Sequence, residues 1–271
     1  MTLPSARLPA HAYGAARYPR IIPVGDAALS VEFGDAIDPA IHAAVIALER
    51  ALIAAEAPGI VETAPSYRSL LVCYEPAELG FADLVDLLRA LLAAPEEEAG
   101  APFLPARHWR VPVCYGGEHG FDLAEAAQSL GMTEAELIAR HAGAEYTVFF
   151  LAFAPGLPNL GGLPKELALS RRAQPRPRIP AGSVVMAGGQ AAVMSRPMPS
   201  GWHVLGRTPV RPFDPARAEP FLFRPGDVIR FCPVDPEAFA ALETRVARGE
   251  AVIAPEPPGE AVPGDGRAPD E

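Results

Sequence analysis

The chain has 271 residues, and at roughly 150 residues per domain this length provides for about two. Hydrophobic residues make up 49% and charged residues 21%, a balance that allows sizeable cores and argues against wholesale disorder. With 23 basic and 33 acidic residues the net charge is -10, which argues against a global electrostatic grip on nucleic acid or an anionic membrane.

All the basic residues but Lys165 are arginine, so a mechanism that needs a lysine has one candidate. Cys73, Cys114 and Cys232 are dispersed without a C-x-x-C pair, which argues against a disulfide framework or a thiolate zinc site and fits a reducing cytoplasm. No apolar run approaches the roughly 18 residues that span a bilayer. Residues 1–20 lack the hydrophobic core of a signal peptide and are broken by Pro4, Pro9 and Pro19.

In chain order, residues 1–19 read as a flexible arm. Ala27, Leu29, Val31 and Phe33 alternate with smaller or polar residues, the period of a strand. Asp38 and Pro39 then open a helix, as N-cap and first helical residue, with Ile41, Val45, Leu48 and Leu52 on its inner stripe. Pro58-Gly59 ends it. Strands follow at 60–66 and 70–74, then a helix over 81–93 with Leu84, Leu87, Leu88 and Leu91 inward. Pro95 and the Glu96–Glu98 run make a linker, and 109–115 is another strand. This β-α-β-β-α-β order is the split pattern of a ferredoxin-like sandwich.

Two short helices are expected at 122–129 and 133–142, the second opened by a Thr133/Glu136 capping box. Their helix-turn-Gly-helix shape has no basic recognition face, so a packing unit is expected rather than a DNA reader. From Tyr146 onward short apolar runs at 148–153, 183–186, 191–194, 203–205 and 227–231 alternate with Gly- and Pro-rich turns. That texture predicts a small closed β-barrel or sandwich. The domains are therefore 20–105 and 106–254, the second including the two short helices, with a disordered tail over 255–271.

The standard motifs of independent catalysis are missing: the sequence contains no G-x-x-x-x-G-K-[ST], no G-x-G-x-x-G after a strand, no H-E-x-x-H and no G-x-S-x-G. Four segments between Phe149 and Pro209 stand out instead. Phe149–Pro164 is a Pro- and Gly-rich stretch, either a structural barrel loop or a loop shaped for ligand approach. Arg171–Arg178 holds four arginines, and Pro175 and Pro177 keep it extended so that Arg176 and Arg178 project the same way. Paired guanidinium groups suit a carboxylate, phosphate or acidic surface, although a solvated face explains such a run equally well.

Ile179–Gln190 reads as a strand between glycine turns. Ser183 lacks a flanking base and reads as a turn hydroxyl before a nucleophile, and Gln190 can read an amide or close a turn. In Ser200–Pro209, Trp202 reads as core and His203 faces the other side of a strand. There His203 is either a general acid/base or a structural histidine. Arg207 stands at a strand end, from which it can reach an anion.

These segments, in this order, resemble the KipI/PxpB family of 5-oxoprolinase subunits (also allophanate hydrolase subunit 1-like), a module also found in the carboxyltransferase portion of urea carboxylase. The resemblance rests on G-D-A-A-L-S-V-E-F-G (25–34), S-Y-R-S-L-L-V (66–72), V-P-V-C-Y-G-G (111–117) and F-D-L (121–123). It continues through A-P-G-L-P-N-L-G-G-L (154–163), P-R-P-R-I-P-A-G-S-V (175–184), A-G-G-Q (187–190), G-W-H-V-L-G-R-T-P (201–209) and P-G-D-V-I-R-F (225–231), covering roughly residues 20–235.

The resemblance implies an α+β chain, a ferredoxin-like N-terminal domain followed by a cyclophilin-like β-barrel. It implies a non-autonomous subunit that works with a KipA/PxpC-like and a LamB/YcsF-like (PxpA) subunit, the assembly using ATP to open 5-oxo-L-proline to L-glutamate. No cofactor is assigned to this chain itself. A KipI-like protein that inhibits a histidine kinase and a subunit of an allophanate or urea complex are the alternatives. The positions that carry over are Pro155, Gly156, Arg176, Arg178, Pro180, Gly182, Ser183, Gln190, Trp202, His203 and Arg207. On this reading Arg176, Arg178 or Arg207 holds the substrate carboxylate, Gln190 reads the lactam and His203 moves a proton. The chain departs from the family at Ala152, Leu157, Asn159, Ser170, Gln174, Ala191 and Met194. Those departures point to a changed substrate or a weakened site.

Overall fold

A computed structural model describes residues 18–94 and 106–256. The chain divides into two compact units, residues 1–101 and 102–271. Apart from residues 18, 19, 255 and 256, the expected arm and tail lie outside the described residues, as does the acidic linker.

The first unit contains β1 (Arg20–Pro23), β2 (Ala28–Glu32), α1 (Pro39–Ala55), β3 (Ile60–Pro65), β4 (Ser69–Tyr74) and α2 (Phe81–Ala93). Its four strands form one antiparallel sheet in the order β1-β2-β4-β3. Alternation places Leu29, Val31, Leu70, Val72 and Tyr74 on a single face, where they pack with Val45, Leu48 and Leu52 of α1 and Leu84 and Leu88 of α2. Asp38 caps α1 as expected, its Oδ1 accepting from the Ala40 and Ile41 amides at 2.7 and 3.3 Å.

One strand differs from the sequence reading. The segment expected to complete the β-α-β-β-α-β series belongs to the second unit, and the place beside β2 is taken by β1. The physical reason lies in burial. β5 (His108–Tyr115) is buried at Val111, Pro112, Val113 and Cys114 in succession, so it needs cover on both faces, which an edge of a one-sided sheet does not supply. β1 is four residues long, and its partly exposed residues suit that edge.

The second unit is built on a closed seven-stranded barrel. Its strands are β5, β6 (Tyr146–Leu151), β7 (Pro158–Gly161), β9 (Ser183–Ala187), β10 (Gln190–Val193), β12 (His203–Arg207) and β13 (Val228–Pro233). They run around the ring in the order β10-β7-β6-β13-β5-β12-β9. The β9–β10 hairpin closes the ring, and β5 with β13 forms its parallel pair. A separate ribbon pairs β8 (Arg176–Ile179) with β11 (Met198–Ser200). Helices α3 (Leu123–Ser129), α4 (Glu134–Gly143) and α5 (Pro236–Ala247) complete the unit. The capping box of α4 is present, with Thr133 Oγ1 accepting from the Glu136 amide at 3.2 Å and Glu136 accepting from the Thr133 amide at 2.7 Å.

Two apolar clusters fill this unit. One joins Val184, Met186, Leu205, Val111 and Phe231 with residues of α3 and α4. The other gathers Val185, Ala192 and Val204 with Leu157, Ile179 and Met194, with Met198 and Trp202 against it. β9 is thus buried along its whole length, because both of its faces are covered. Part of the stretch that reads as a long loop is strand β7, and α5 is a helix the sequence reading lacks.

The turn from Gly116 to Asp122 lies directly against β12. A Cβ added at Gly120 would stand 1.9 Å from the Leu205 carbonyl oxygen, so only glycine fits there. Gly120→Ala is therefore expected to destabilise the barrel unit by about 1–3 kcal/mol, the usual scale of overpacking. A urea unfolding curve followed by tryptophan fluorescence checks this.

Candidate functional site

The close approach at Gly120 delivers Asp122 to the barrel wall. Its amide donates to the Val204 carbonyl at 3.1 Å, and the Val204 amide donates to Asp122 Oδ2 at 3.0 Å. The carboxylate is fully buried. A buried carboxylate survives only if its charge is matched and its lone pairs are filled, and two arginines do both. Arg172 Nη1 donates to Oδ1 at 2.9 Å, and Arg176 holds the same carboxylate through Nη2 and, at 3.4 Å, Nε. Arg172 also reaches Glu125 at 2.6 Å, and this hydrogen bond is the first cause of its raised pKa. Arg176 lies over the Phe121 ring at 4.6 Å.

The segment carrying Arg172 runs beside the entry to β12. The Arg172 amide donates to the Gly201 carbonyl at 2.8 Å, Arg171 lies over the Trp202 ring at 5.7 Å, and His203 Nε2 meets the Ser170 carbonyl at 2.9 Å. A carbonyl only accepts, so Nε2 carries the hydrogen and Nδ1 is left with its lone pair, buried and without a partner among the described residues. Arg176 is thereby bound to Asp122, while Trp202 and His203 meet the neighbouring segment at Arg171 and Ser170. Arg178 lies one step further along β8, exposed and without an ion pair among the described residues.

Arg207 belongs to a second place. It stands at the far end of β12, opposite Ser183, with Nε donating to the Ala181 carbonyl at 3.2 Å and Nη2 to Glu243 of α5 at 3.0 Å. Gly182 and Arg207 line one cavity of about 240 Å³ against α5. The Ser183 hydroxyl is buried without a partner among the described residues. Gln190 is half-buried at the start of β10, Pro155 and Pro180 are exposed, and Gly156 is buried. Of the departures from the family pattern, Leu157, Asn159, Ala191 and Met194 are buried, and Leu157 and Met194 fill the apolar cluster beneath Trp202.

Sequence reasoning misses Asp122, Arg172 and Glu243 as parts of these sites. Asp122 carries a signal, an acidic residue between Phe121 and Leu123 just after a glycine, but one that reads only as a helix opener. A second buried aspartate, Asp227, has a similar role at the other end of the barrel. It accepts from Arg107 at 2.9 and 2.6 Å, from Trp109 Nε1 at 2.9 Å and from the Arg224 amide at 2.9 Å.

The architecture defines a barrel module with two arginine-bearing sites, one neutralised internally around Asp122 and one opening onto α5. The chain belongs to the family described as carboxyltransferase domain, subdomain C and D, whose sequence model matches residues 19–223. It is 35% identical over 225 residues to a protein of Bacillus subtilis (strain 168) named as a subunit of 5-oxoprolinase, covering 80% of this chain and 94% of that protein. The protein of the same name from Escherichia coli O157:H7 is 38% identical over 210 residues, covering 78% of this chain and 94% of the other. Among solved structures, Kluyveromyces lactis urea carboxylase shares the fold with a TM-score of 0.72 at 18% identity, covering 87% of this chain. The chain spans 23% of that much longer protein. No helix among the described residues is long and apolar enough to cross a membrane.

Proposed function

We propose that this chain is a non-autonomous subunit of an ATP-dependent 5-oxoprolinase that opens 5-oxo-L-proline to L-glutamate. The observation that carries the reading is the match to two proteins named as a 5-oxoprolinase subunit, over 94% of the length of each. In that reaction water adds to the lactam carbonyl carbon, the ring C–N bond breaks and the nitrogen takes a proton. ATP gives its γ-phosphoryl group to the lactam oxygen and leaves as ADP, which makes the carbonyl carbon easier to attack, and a second water later releases the phosphate.

The helix starts of this chain do not suit a polyphosphate. Each α-helix among the described residues has an acidic side chain at its N-cap or in its first turn: Asp38, Asp83, Asp122, Glu134 and Asp235 stand at the five starts. These are the places where a phosphate would otherwise meet free amides and a favourable dipole. The nucleotide therefore belongs to another subunit, and this chain positions the lactam and its carboxylate. The partners are a KipA/PxpC-like and a LamB/YcsF-like (PxpA) subunit. Three free cysteines, Cys73, Cys114 and Cys232, support a reducing cytoplasmic setting.

Co-expression of the three subunits tests the assignment. A stable complex whose ADP formation rises on adding 5-oxo-L-proline, and does not rise when this chain is left out, is the expected result. A complete complex whose ADP formation ignores 5-oxo-L-proline contradicts it and favours a regulatory or urea-derived role.

A further inference from the structure

Between the turn after β12 and helix α5 lies the cavity of about 240 Å³. Drug-sized ligands occupy pockets of roughly 300–1,000 Å³, so this volume suits a smaller molecule. Arg207 and Arg211 line the barrel side and Glu243 the helix side, while Ser195 contributes a hydroxyl that is buried without a hydrogen-bond partner among the described residues. Gly182 closes the base with a backbone φ of +77°, and a Cβ there would stand 2.2 Å from the Thr208 carbonyl oxygen.

Arg207 is fixed before any ligand arrives. Its Nε is tied to the Ala181 carbonyl, and its guanidinium lies 5.6 Å from the ring centroid of Phe239, which is 2% exposed. What remains is an outward donor edge, a group shaped for one carboxylate. Glu243 takes it with a single hydrogen bond of 3.0 Å from a side chain that is 49% exposed. An ion pair this open is worth roughly 0–1 kcal/mol, so a better-placed carboxylate displaces it easily. Arg211 adds a second guanidinium to the lining, ion-paired with Asp214 at 3.7 Å.

We propose that this cavity is the carboxylate-binding site of the chain, with Glu243 holding the place of a ligand carboxylate on Arg207. The ligand is a small carboxylate with a carbonyl oxygen across a compact ring, and that oxygen accepts from the unpartnered Ser195 hydroxyl. The identity of the ligand as 5-oxo-L-proline rests on the 5-oxoprolinase reading; the site rests on Arg207, Ser195 and Glu243. Arg176, whose charge is spent on buried Asp122, is then a structural arginine. Glu243 lies on a helix outside residues 19–223, so the competition comes from a part of the chain that the family match does not include.

Calorimetric titration of the full chain with 5-oxo-L-proline, and with 2-pyrrolidinone as the lactam lacking a carboxylate, tests the site. Glu243→Gln is expected to tighten 5-oxo-L-proline about two- to five-fold, the scale of an exposed ion pair released. Arg207→Gln is expected to weaken it about ten-fold or more, the loss of a charged hydrogen bond. Ser195→Ala weakens it several-fold, 2-pyrrolidinone gives no heat, and Arg245→Gln on the same helix changes nothing. Binding indifferent to both Arg207→Gln and Glu243→Gln, or no binding to either the native chain or Glu243→Gln, overturns the site. In the assembled complex, glutamate release unaltered in rate and KM by Arg207→Gln would remove the site and leave the oxoprolinase reading intact. The expected titrations together with a complete complex that releases no glutamate would do the reverse.

Discussion

Replacing Asp122 with alanine is expected to cost the barrel unit about 3–5 kcal/mol, the scale of breaking a buried ion pair by removing one partner. The fully buried carboxylate pairs with Arg172 and Arg176, Glu125 supplying the second negative charge, and it fills the Val204 amide. Its removal leaves Arg176 beside Phe121 without a counter-charge and a buried backbone N–H without an acceptor. Asp122→Asn keeps an oxygen for Val204 and loses only the charge, so its cost should fall between that of alanine and the native chain. Both tryptophans, Trp109 and Trp202, lie in the barrel unit, so fluorescence-detected urea unfolding reports on this unit specifically. A cost below about 1 kcal/mol for Asp122→Ala would contradict the role assigned to it.

The second large effect concerns acid. His141 is fully buried, stacked on Phe231 at 5.0 Å and within 2.8 Å of the Tyr115 hydroxyl through Nδ1. Burial drives the Tyr115 hydroxyl well above its ordinary pKa, so it keeps its proton beside the imidazole. His141 Nε2 is buried without a partner among the described residues. Burial also depresses the histidine itself, from 6.5 to about 3.

Between those two values the unfolded chain holds a proton that the folded chain rejects, so acid favours unfolding. Stability from this group is fully present above pH 6.5 and falls by up to about 1.4 kcal/mol per pH unit down to about pH 3. His141→Phe is expected to remove that slope. Its stability difference from the native chain should be constant above pH 7 and should shift in favour of the mutant as the pH drops toward 4.5. Parallel curves for the two proteins would show that His141 titrates normally.

Much of the fold is legible in the sequence because its signals are local. Asp38-Pro39, the Thr133/Glu136 box and the leucine spacing of α2 each set an element boundary by chemistry within a few residues. The membership of β5 is not local. Its run of apolar residues asks for cover on both faces, but which strands supply that cover is settled only by its parallel pairing with β13, more than a hundred residues away. α5 has a legible start that is easily overlooked, because Asp235-Pro236 repeats the Asp38-Pro39 signal and Asp235 caps the helix through the Ala238 amide at 2.7 Å.

The sites divide along the same line. Arg207 stands out from its place at a strand end, and the structure sets it in a cavity. Arg176 stands out as a ligand group, yet its charge is met by Asp122 from across 54 residues, a pairing with no trace in sequence spacing. His203 opens β12 one residue after Trp202, and its Ser170 partner depends on how the chain returns to β12.

The decisive measurement omits each subunit in turn from the reconstituted complex and reads glutamate release from 5-oxo-L-proline and ATP. Release by the full set, none without this chain, and recovery when the chain is added back are the expected results. Release that continues at the full rate without it, or an intact full complex that forms no glutamate, would contradict the assignment of this chain as a working subunit of a 5-oxoprolinase.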